Sequence, residues 1–440
     1  MRNGIDSKIK TIILQEQHRQ RTQLSLIPSE NYASKAVRSA VGSVLMNKYA
    51  EGQAGKRYYQ GNKNIDEIEK WCKIQALNAF GLNDSVWSVN VQALSGSPAN
   101  LEAISALLLP GERIMSMFLP DGGHLSHGWQ VGDKKVTLVS KIWDVHFYYV
   151  EKKSRVFDYD QIARQAKAVK PKLLISGGTA YAREIDHRKM SLIAKSVGSY
   201  YLADIAHEAG LVAAGVNSSP FPYSDVVTMT THKTLRGPRG ALIFSRKAYS
   251  ERIDQSVFPG LQGGPHMHTI AGIAVALTEA QTPDFKKYAQ QMIKNAQVLA
   301  SEFIKAGLDV VSGGTDKHLV LLDLRPQKLS AWIVAWALEY ANIIVNRNTV
   351  PFETGTSFYP SGIRLGTPAV TTRGMLAADM KKIAGWIMEV LKSTQKLQIP
   401  QDKVTRAKFL KSIHPQLKKN STVISVGQKV RQFAAKFPVP

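Results

Sequence analysis

Between residues 86 and 245, short apolar segments alternate with segments in which apolar residues recur every three or four positions. The first kind predicts strands and the second predicts helices. Such an alternation indicates an α/β domain with a mostly parallel, seven-stranded sheet and helices on both faces. The predicted strands are 86–91, 113–117, 136–139, 172–176, 200–204, 225–229 and 241–245, and the helices between them include 97–109, 159–168 and 188–197.

The chain on either side of this alternation predicts two further parts. Residues 1–60 form an N-terminal arm that begins with a helix at 5–23, and residues 61–285 form the α/β domain. A long helical stretch over about 269–306 leaves the sheet, and residues 286–440 form a linking helix and a smaller α+β domain. In the smaller domain we expect strands at 308–312, 318–322, 343–345 and 362–365, helices at 330–341 and 372–391, and a basic insertion at about 396–423. We interpret the insertion as either a helix-and-loop excursion or a mobile surface segment.

The composition bears on compartment and on membrane contact. The chain of 440 residues is long enough for two or three domains around a large core. Cys72 is the only cysteine, so no intrachain disulfide can form, which fits a reducing cytoplasm. No apolar run is long enough to cross a bilayer, and the N-terminal residues are too polar for a secretory signal. We therefore expect a cytoplasmic protein without membrane contact.

The charge is strongly basic and concentrated near the C-terminus. The chain has 57 Lys and Arg against 34 Asp and Glu, a net charge of +23. Residues 391–440 hold 11 of the basic residues and a single acidic one, Asp402. Such a segment can bind nucleic acid, but no nucleic-acid-binding motif accompanies it. A solvated basic surface is the preferred interpretation, and nucleic-acid binding stays open as an alternative that could coexist with catalysis.

Lys233 lies in a short run, residues 230–240, between two apolar strands. A charged lysine without a partner is costly in such a place, and a buried lysine commonly forms a covalent imine with an aldehyde cofactor. The step from Met229 to Ala241 is too short for a helical crossover, so one strand is expected to run antiparallel.

Three further features follow predicted strands, where ligands bind in open α/β sheets. Asp204 ends one strand and could pair with a protonated pyridine nitrogen, although a helix-capping role is the simpler alternative. Ser95-Gly96-Ser97 opens a helix and suits a phosphate, although it could be a plain cap. His124 follows two glycines and could cover a flat ring, although a lone histidine is often structural. Together with Lys233 these parts are typical of a pyridoxal phosphate site, and we expect no metal ion.

A bound amino acid also needs a partner for its carboxylate. A planar, bidentate donor suits that group best. Arg364, in an apolar segment at 361–368, is the best candidate.

At this point the sequence closely resembles serine hydroxymethyltransferase, a fold-type I pyridoxal phosphate enzyme. The similarity covers roughly residues 20–390. The matching segments include 26–32, 47–52, 55–59, 95–97, 122–125, 206–207, 210–215, 230–235, 263–265, 310–316 and 361–367. Pro28, Pro120, Asp121 and Glu208 depart from the family pattern, and Thr179 stands where serine is usual.

The resemblance implies a role for each matching position. Lys233 would carry the covalent link to the cofactor, and the catalytic residues would be Lys233, Glu51, His124, Asp204 and Tyr59. The cofactor would be bound by Ser95, Gly96, Ser97, His124, Thr179, Asp204, His207, Thr230, His232 and Lys233, with Gly263 and Gly264 from a neighbouring subunit. Serine would be bound by Ser29, Tyr49, Glu51, Tyr59, His207 and Arg364. The folate would be bound by Tyr58, Leu119, Gly123, Leu125 and Asn348.

The implied reaction is the reversible transfer of the serine hydroxymethyl carbon to tetrahydrofolate, which yields glycine and 5,10-methylenetetrahydrofolate. In the family, Glu51, Tyr49 and Tyr59 come across a subunit interface, so the resemblance implies a homodimer, with a tetramer left open. The enzymatic alternative is a folate-independent aldolase that cleaves threonine-like β-hydroxy amino acids. An inert scaffold that has kept the fold is a further alternative.

Overall fold

A computed structural model describes residues 5–356, 358–400 and 402–440, so the first four residues of the predicted arm lie outside the described part. The chain divides into two compact units. The larger unit comprises Ala33–Gln290, and the smaller unit comprises Met1–Tyr32 with Gln291–Pro440. The domain boundaries expected from the sequence stay a prediction.

The larger unit is built on a seven-stranded sheet. From one edge to the other, its strands are Trp87–Asn90, Ala241–Arg246, Val226–Thr230, Tyr200–Asp204, Leu173–Ser176, Arg113–Met117 and Asp144–Tyr148. Only Ala241–Arg246 runs antiparallel to its neighbours, and every other pairing is parallel. The mostly parallel α/β sheet and its antiparallel strand after Lys233 are therefore confirmed.

Helices surround this sheet. Those of the larger unit are Lys35–Val41, Lys63–Ala79, Gly96–Leu107, Leu138–Ile142, Tyr159–Val169, His187–Ser196, Ala209–Ala213, Ser250–Gln255 and Met267–Ala280, and Pro283–Lys305 continues into the smaller unit. Aspartate side chains begin two of them, since Asp158 accepts from the amides of Asp160 and Gln161, and Asp186 accepts from that of Lys189. Two short hairpins pair Gly52–Gln53 with Lys56–Arg57 and Gln130–Val131 with Lys134–Lys135.

One prediction for the larger unit is wrong. Residues 136–139 are not a strand, because Thr137 precedes the helix Leu138–Ile142. The seventh strand is Asp144–Tyr148, whose edge position leaves Asp144 exposed and so hides the apolar pattern. The helical stretch expected over 269–306 consists of two helices, because Pro283 has no N–H to continue the first one and begins the second.

The smaller unit contains an antiparallel four-stranded sheet with the order Asp309–Val310, Leu319–Asp323, Gly362–Gly366 and Asn346–Asn348. A short parallel pair joins Leu24–Ser25 to Ile343–Ile344. Its helices are Ser7–Thr22, Ala331–Tyr340, Pro368–Thr372, Ala377–Ser393, Lys403–Lys419 and Ser421–Ala434. The helix expected at 372–391 therefore begins later, after Gly374 takes a φ of +89° that interrupts the helical path.

The basic segment at 396–423 is largely the helix Lys403–Lys419, so the helical alternative is confirmed. Ile413 and Leu417 anchor this helix in the core, while its lysines face outward. Across the described residues, we find no helix with the length and apolarity that a membrane span requires.

Candidate active site

Asp204 is the buried anion of the site. It ends the strand Tyr200–Asp204, where Nε2 of His127 lies 2.9 Å from its Oδ2 and Nδ2 of Asn100 donates to the same oxygen at 2.8 Å. The amide of Ala206 donates to Oδ1 at 2.9 Å, so the capping alternative is also realised. Burial acts to raise the pKa of Asp204, but the hydrogen bond and charge of His127 outweigh it and hold that pKa well below its ordinary value. The carboxylate is therefore ionised.

Asn100 connects Asp204 to His124. Its Nδ2 also donates to Oγ of Ser126 at 2.8 Å, and its Oδ1 accepts from Thr228 at 2.6 Å. Ser126 Oγ lies 2.7 Å from Nδ1 of His124, which also accepts from the Ser126 amide at 3.2 Å. Nδ1 of His124 is thus an acceptor, which places the ring proton on Nε2.

The ligand atoms of His124, His127 and Asp204 lie within 4.8 Å of one another, a spacing that could also hold a metal ion. A hydrogen bond already joins His127 directly to Asp204. We therefore interpret the cluster as a support for an ionised carboxylate. The three donors to Asp204 leave one of the roughly four acceptor positions of a carboxylate for a ligand.

Lys233 lies buried in the loop between Val226–Thr230 and Ala241–Arg246, with 8% of its surface exposed. Backbone hydrogen bonds from Thr231 to Gly240 and from Gly237 to Thr231 hold this loop closed. Asp204 pairs with Thr228 on the adjacent parallel strand, so Lys233 leaves the same edge of the sheet as Asp204.

The neighbours of Lys233 link its loop to the segment after Asp204. Thr234 Oγ1 donates to the carbonyl of His207 at 2.8 Å and accepts from the amide of Gly210 at 3.0 Å. His232 is mostly buried, and its Nδ1 has no hydrogen-bond partner among the described residues. Burial, with the charges of Lys233 and Arg239, lowers the pKa of His232 to about 4, so its ring is neutral at physiological pH.

Ser95-Gly96-Ser97 stands at the start of the helix Gly96–Leu107, as the sequence predicts. The Ser95 side chain makes no capping hydrogen bond. A Cβ atom at position 96 would lie 2.6 Å from Cγ2 of Thr230, so only glycine allows this helix start to approach the strand end. Free amides and two hydroxyls at a helix N-terminus form an anion site suited to a phosphate.

Gly122 and Gly123 allow close backbone contacts at the same sheet edge, near the end of the strand Arg113–Met117. A Cβ atom at position 123 would lie 2.3 Å from the carbonyl oxygen of Met117, which explains the glycine just before His124. The amide of Thr179 donates to the carbonyl of Gly122 at 2.7 Å. Its hydroxyl lies 3.4 Å from Nε2 of His207, so these two predicted cofactor contacts are neighbours.

A second cluster forms around Glu51, on an exposed surface of the larger unit. The Tyr49 hydroxyl donates to Oε1 of Glu51 at 3.3 Å, and its ring lies 5.1 Å from that of Tyr59. A Cβ at position 263 would lie 3.1 Å from the same Glu51 oxygen, and one at 264 would touch the Tyr49 ring. The charge of Glu51 raises the pKa of Tyr49. The contacts that define this cluster include neither Lys233 nor Asp204.

In the smaller unit, Arg364 lies buried on the strand Gly362–Gly366, and its Nε donates to Oδ1 of Asn346 at 3.1 Å. Burial lowers the pKa of Arg364 to about 10, which leaves the guanidinium charged at neutral pH. Pro28 packs against Gly366, where a Cβ would lie 2.5 Å from Cα of Pro28. The segment that carries Ser29 therefore runs beside the strand of Arg364. Asn348 pairs with Gly362 at the other end of that strand.

The predicted folate contacts lie in both units. In the larger unit, Leu125 is half exposed and borders a largely apolar cavity of about 440 Å³. Tyr58 is exposed, with its ring 5.5 Å from that of Phe258. Leu119 begins a short helical turn that ends at Asp121, before Gly123. Asp121 is buried, and its Oδ2 accepts from the amide of Val150 at 3.1 Å, so this departure from the family pattern has a local structural role.

Sequence reasoning missed the residues that hold Asp204 in place, His127 and Asn100. Asn100 could have been noticed as a polar residue among the apolar positions of its helix, most of which are buried. His127 stood in the glycine-flanked run of His124 without a stated role. The pairing of either with Asp204 depends on residues 77 and 104 positions apart.

Comparisons with known proteins show which family the chain belongs to. The protein-family model described as serine hydroxymethyltransferase matches residues 3–387. The chain is 45% identical to the cytosolic serine hydroxymethyltransferase of Aspergillus fumigatus, over 99% of this chain and 95% of the relative. It is 45% identical to serine hydroxymethyltransferase 3, chloroplastic, of Arabidopsis thaliana, over 99% and 84%. It is 42% identical to the mitochondrial serine hydroxymethyltransferase of Saccharomyces cerevisiae, over 99% and 92%. The chain belongs to the serine hydroxymethyltransferase family.

Proposed function

We propose that this chain transfers the hydroxymethyl carbon of serine reversibly to tetrahydrofolate, giving glycine and 5,10-methylenetetrahydrofolate, with pyridoxal 5′-phosphate as its cofactor. The observation that carries the proposal is the ionised Asp204 at a strand end, on the same sheet edge as the buried Lys233. Family membership over 99% of the chain favours this reaction over the folate-independent aldolase.

The described residues fit this cofactor. Asp204 has an acceptor position left for a ring N–H, His232 has an unpartnered buried nitrogen, and Gly96 opens a cradle that a side chain would fill. When bound, pyridoxal phosphate supplies an aldehyde carbon for amines and a ring that accepts electrons from a breaking bond at Cα. We assign the phosphate to Ser95, Gly96, Ser97, Thr230 and His232, the ring face to His124, and the ring oxygen to Thr179 and His207.

Asp204 would keep a proton on the ring nitrogen, because its ionised oxygen accepts from that N–H and its own pKa is too low to take the proton. Asn100 and His127 both bond Oδ2, so they fix the orientation of the carboxylate and leave the remaining acceptor position on Oδ1. Lys233 would hold the cofactor and exchange it with the amine of serine. The permanent charge of Arg364, with Ser29 on the adjacent segment, would bind the serine carboxylate.

Glu51 would move a proton between the serine hydroxymethyl group and the folate, with Tyr49 and Tyr59 beside it. We propose that this cluster, with Gly263 and Gly264, completes the site of a second copy of the chain, as the family resemblance implies. The exposed side chains of Tyr49, Tyr58 and Tyr59 beside Glu51 support that interpretation. A carboxyl group in contact with water is poorly suited to general acid–base catalysis, so we expect a second chain to cover this surface. A homodimer with shared sites is thus part of the proposal, with a tetramer left open.

The folate would lie against Tyr58, Leu119, Gly123, Leu125 and Asn348. The exposed apolar surface of Leu125 and the exposed ring of Tyr58 support this assignment, because a flat heteroaromatic ligand gains most from such surfaces.

We also propose a cytoplasmic location. The single cysteine and the cytosolic relative of Aspergillus fumigatus support it, whereas other relatives are named for mitochondria and chloroplasts.

Turnover of serine by the purified protein tests the proposed function. We expect cofactor absorbance in the visible range, serine cleavage that requires tetrahydrofolate, and complete loss of turnover in Lys233→Ala with the fold retained by circular dichroism. Equal serine turnover with and without tetrahydrofolate would instead support the aldolase. A colourless protein that is unaffected by Lys233→Ala would support the inert scaffold.

A further inference from the structure

Glu51 stands directly before the hairpin strand Gly52–Gln53, and one arginine, Arg57, bonds the backbone on both sides of it. Nη1 of Arg57 donates to the carbonyl oxygen of Ala50 at 2.8 Å and also to that of Gly52. These are the two residues that flank Glu51 in the chain. The amide of Tyr58 donates to the carbonyl of Glu51 itself at 3.1 Å, which closes the hairpin. The Arg57 guanidinium therefore holds the backbone on both sides of Glu51 in place.

The same guanidinium is anchored to a helix. Its Nε lies 2.8 Å from Oδ1 of Asp66, and its Nη2 lies 2.6 Å from Oε2 of Glu69, both on Lys63–Ala79. The Arg57 side chain is 3% exposed, and that of Glu69 is fully buried. A buried guanidinium whose three nitrogens each donate to an acceptor has little freedom to move, so it transmits the position of the helix to the backbone around Glu51.

Two glutamines, Gln92 and Gln262, link the backbone beside Glu51 to the segment that carries Gly263 and Gly264. Nε2 of Gln92 donates to the carbonyl of Gly52 at 3.1 Å and also reaches Glu69. Gln262 donates to the Gln92 carbonyl at 2.9 Å and accepts from the amide of Leu94, again at 2.9 Å. The two segments proposed to enter a second copy's site are therefore joined by one hydrogen-bond network.

We infer that Arg57 is a positioning residue for Glu51: by holding the carbonyls of Ala50 and Gly52, it fixes the direction in which the Glu51 carboxylate leaves the backbone. This inference rests on the proposed function, because it assumes that Glu51 handles the proton. Lysine cannot replace arginine here, because one ammonium cannot reach two carbonyls and two carboxylates in the planar arrangement that the guanidinium provides.

A double-mutant cycle with Arg57→Lys and Glu51→Gln in the holoenzyme tests the inference. We expect Arg57→Lys to lower kcat for tetrahydrofolate-dependent serine cleavage by roughly 10- to 100-fold, the effect of displacing a catalytic group by about 1 Å. KM for serine and the cofactor absorbance should stay within about twofold of wild type. In the Glu51→Gln background, Arg57→Lys should change kcat by less than about twofold, because Arg57 then has no catalytic group to position.

Two further variants guard against a loss of folding. Asp66→Asn weakens the anchor of Arg57 without removing the guanidinium and should give a smaller loss of kcat that also vanishes in the Glu51→Gln background. Arg373→Lys is the matched control, since Arg373 is another buried arginine that donates to backbone carbonyls, and it should lower stability but not kcat. Independent, multiplicative losses from Arg57→Lys and Glu51→Gln would overturn the inference, as would a normal kcat in Arg57→Lys. A normal kcat in Glu51→Gln would instead remove the proposed role of Glu51.

Discussion

Glu102 is a buried carboxyl group whose ionisation should make the fold less stable as pH rises. It lies on the helix Gly96–Leu107 with no exposed surface, and neither carboxyl oxygen has a hydrogen-bond partner among the described residues. Burial raises the pKa of Glu102 from 4.5 to about 8. The folded state therefore binds this proton more tightly than the unfolded state does.

The sign and size of the effect follow from proton linkage. Stability falls as pH rises from about 4.5, where the unfolded carboxyl ionises, and the loss levels off above about pH 8, where the folded one ionises. A difference of about 3.5 pKa units corresponds to roughly 5 kcal/mol in total. Between about pH 6 and pH 8, Glu102 alone should remove about 2 kcal/mol from the free energy of unfolding.

The substitution Glu102→Gln keeps the size of the side chain but cannot ionise. Urea denaturation, followed by circular dichroism at about pH 6 and pH 8 and at fixed protein concentration, gives the change for each protein. We expect wild type to lose about 2 kcal/mol more than Glu102→Gln over this interval. Glu67→Gln, at an exposed position on the helix Lys63–Ala79, should behave like wild type. If the free energy of unfolding of wild type and of Glu102→Gln changes equally between these pH values, Glu102 does not have the raised pKa that burial implies.

Three other substitutions test the site and the smaller unit. Asn100→Ala removes a donor to Asp204 and should raise the pKa of Asp204. We expect kcat to fall about 10-fold or more in steady-state assays. An unchanged kcat would show that Asp204 does not need this hydrogen bond. Gly96→Ala places a methyl group against Thr230 and should weaken cofactor binding about 10-fold or more in absorbance titrations; wild-type affinity would contradict the phosphate assignment. Arg373→Met leaves the carbonyls at two helix ends without their donor. Thermal denaturation should therefore show that the free energy of unfolding falls by about 3 kcal/mol, and a fall below about 1 kcal/mol would contradict this role.

The strands of the sheet interior could be predicted closely because both faces of a parallel strand are covered. Arg113–Met117 and Tyr200–Asp204 have the bounds expected from their apolar runs. The edge strand Asp144–Tyr148 escaped prediction because polar residues interrupt its pattern. The run at 136–139, which is rich in β-branched residues, has the composition of a strand, but the helix Leu138–Ile142 begins there instead.

The parts of the site that follow one another in sequence could be predicted, and the partners that hold them could not. Lys233, Asp204 and Gly96 each stand at the end of a strand or the start of a helix, so their common sheet edge follows from the alternation. The hydrogen bond from Asn100 to Asp204 joins residues 104 positions apart, and the one between His127 and Asp204 joins residues 77 positions apart. Such pairings depend on the packing of helices on the sheet, which periodicity does not specify.

Every role proposed for the site depends on a covalent link at Lys233, and a mass measurement detects that link directly. The purified holoenzyme is reduced with borohydride, digested and analysed by peptide mass spectrometry. We expect the mass of a reduced phosphopyridoxyl group on the peptide that contains Lys233, and its loss from that peptide in Lys233→Ala. The same added mass on a different lysine, with Lys233 unmodified, would disprove the link.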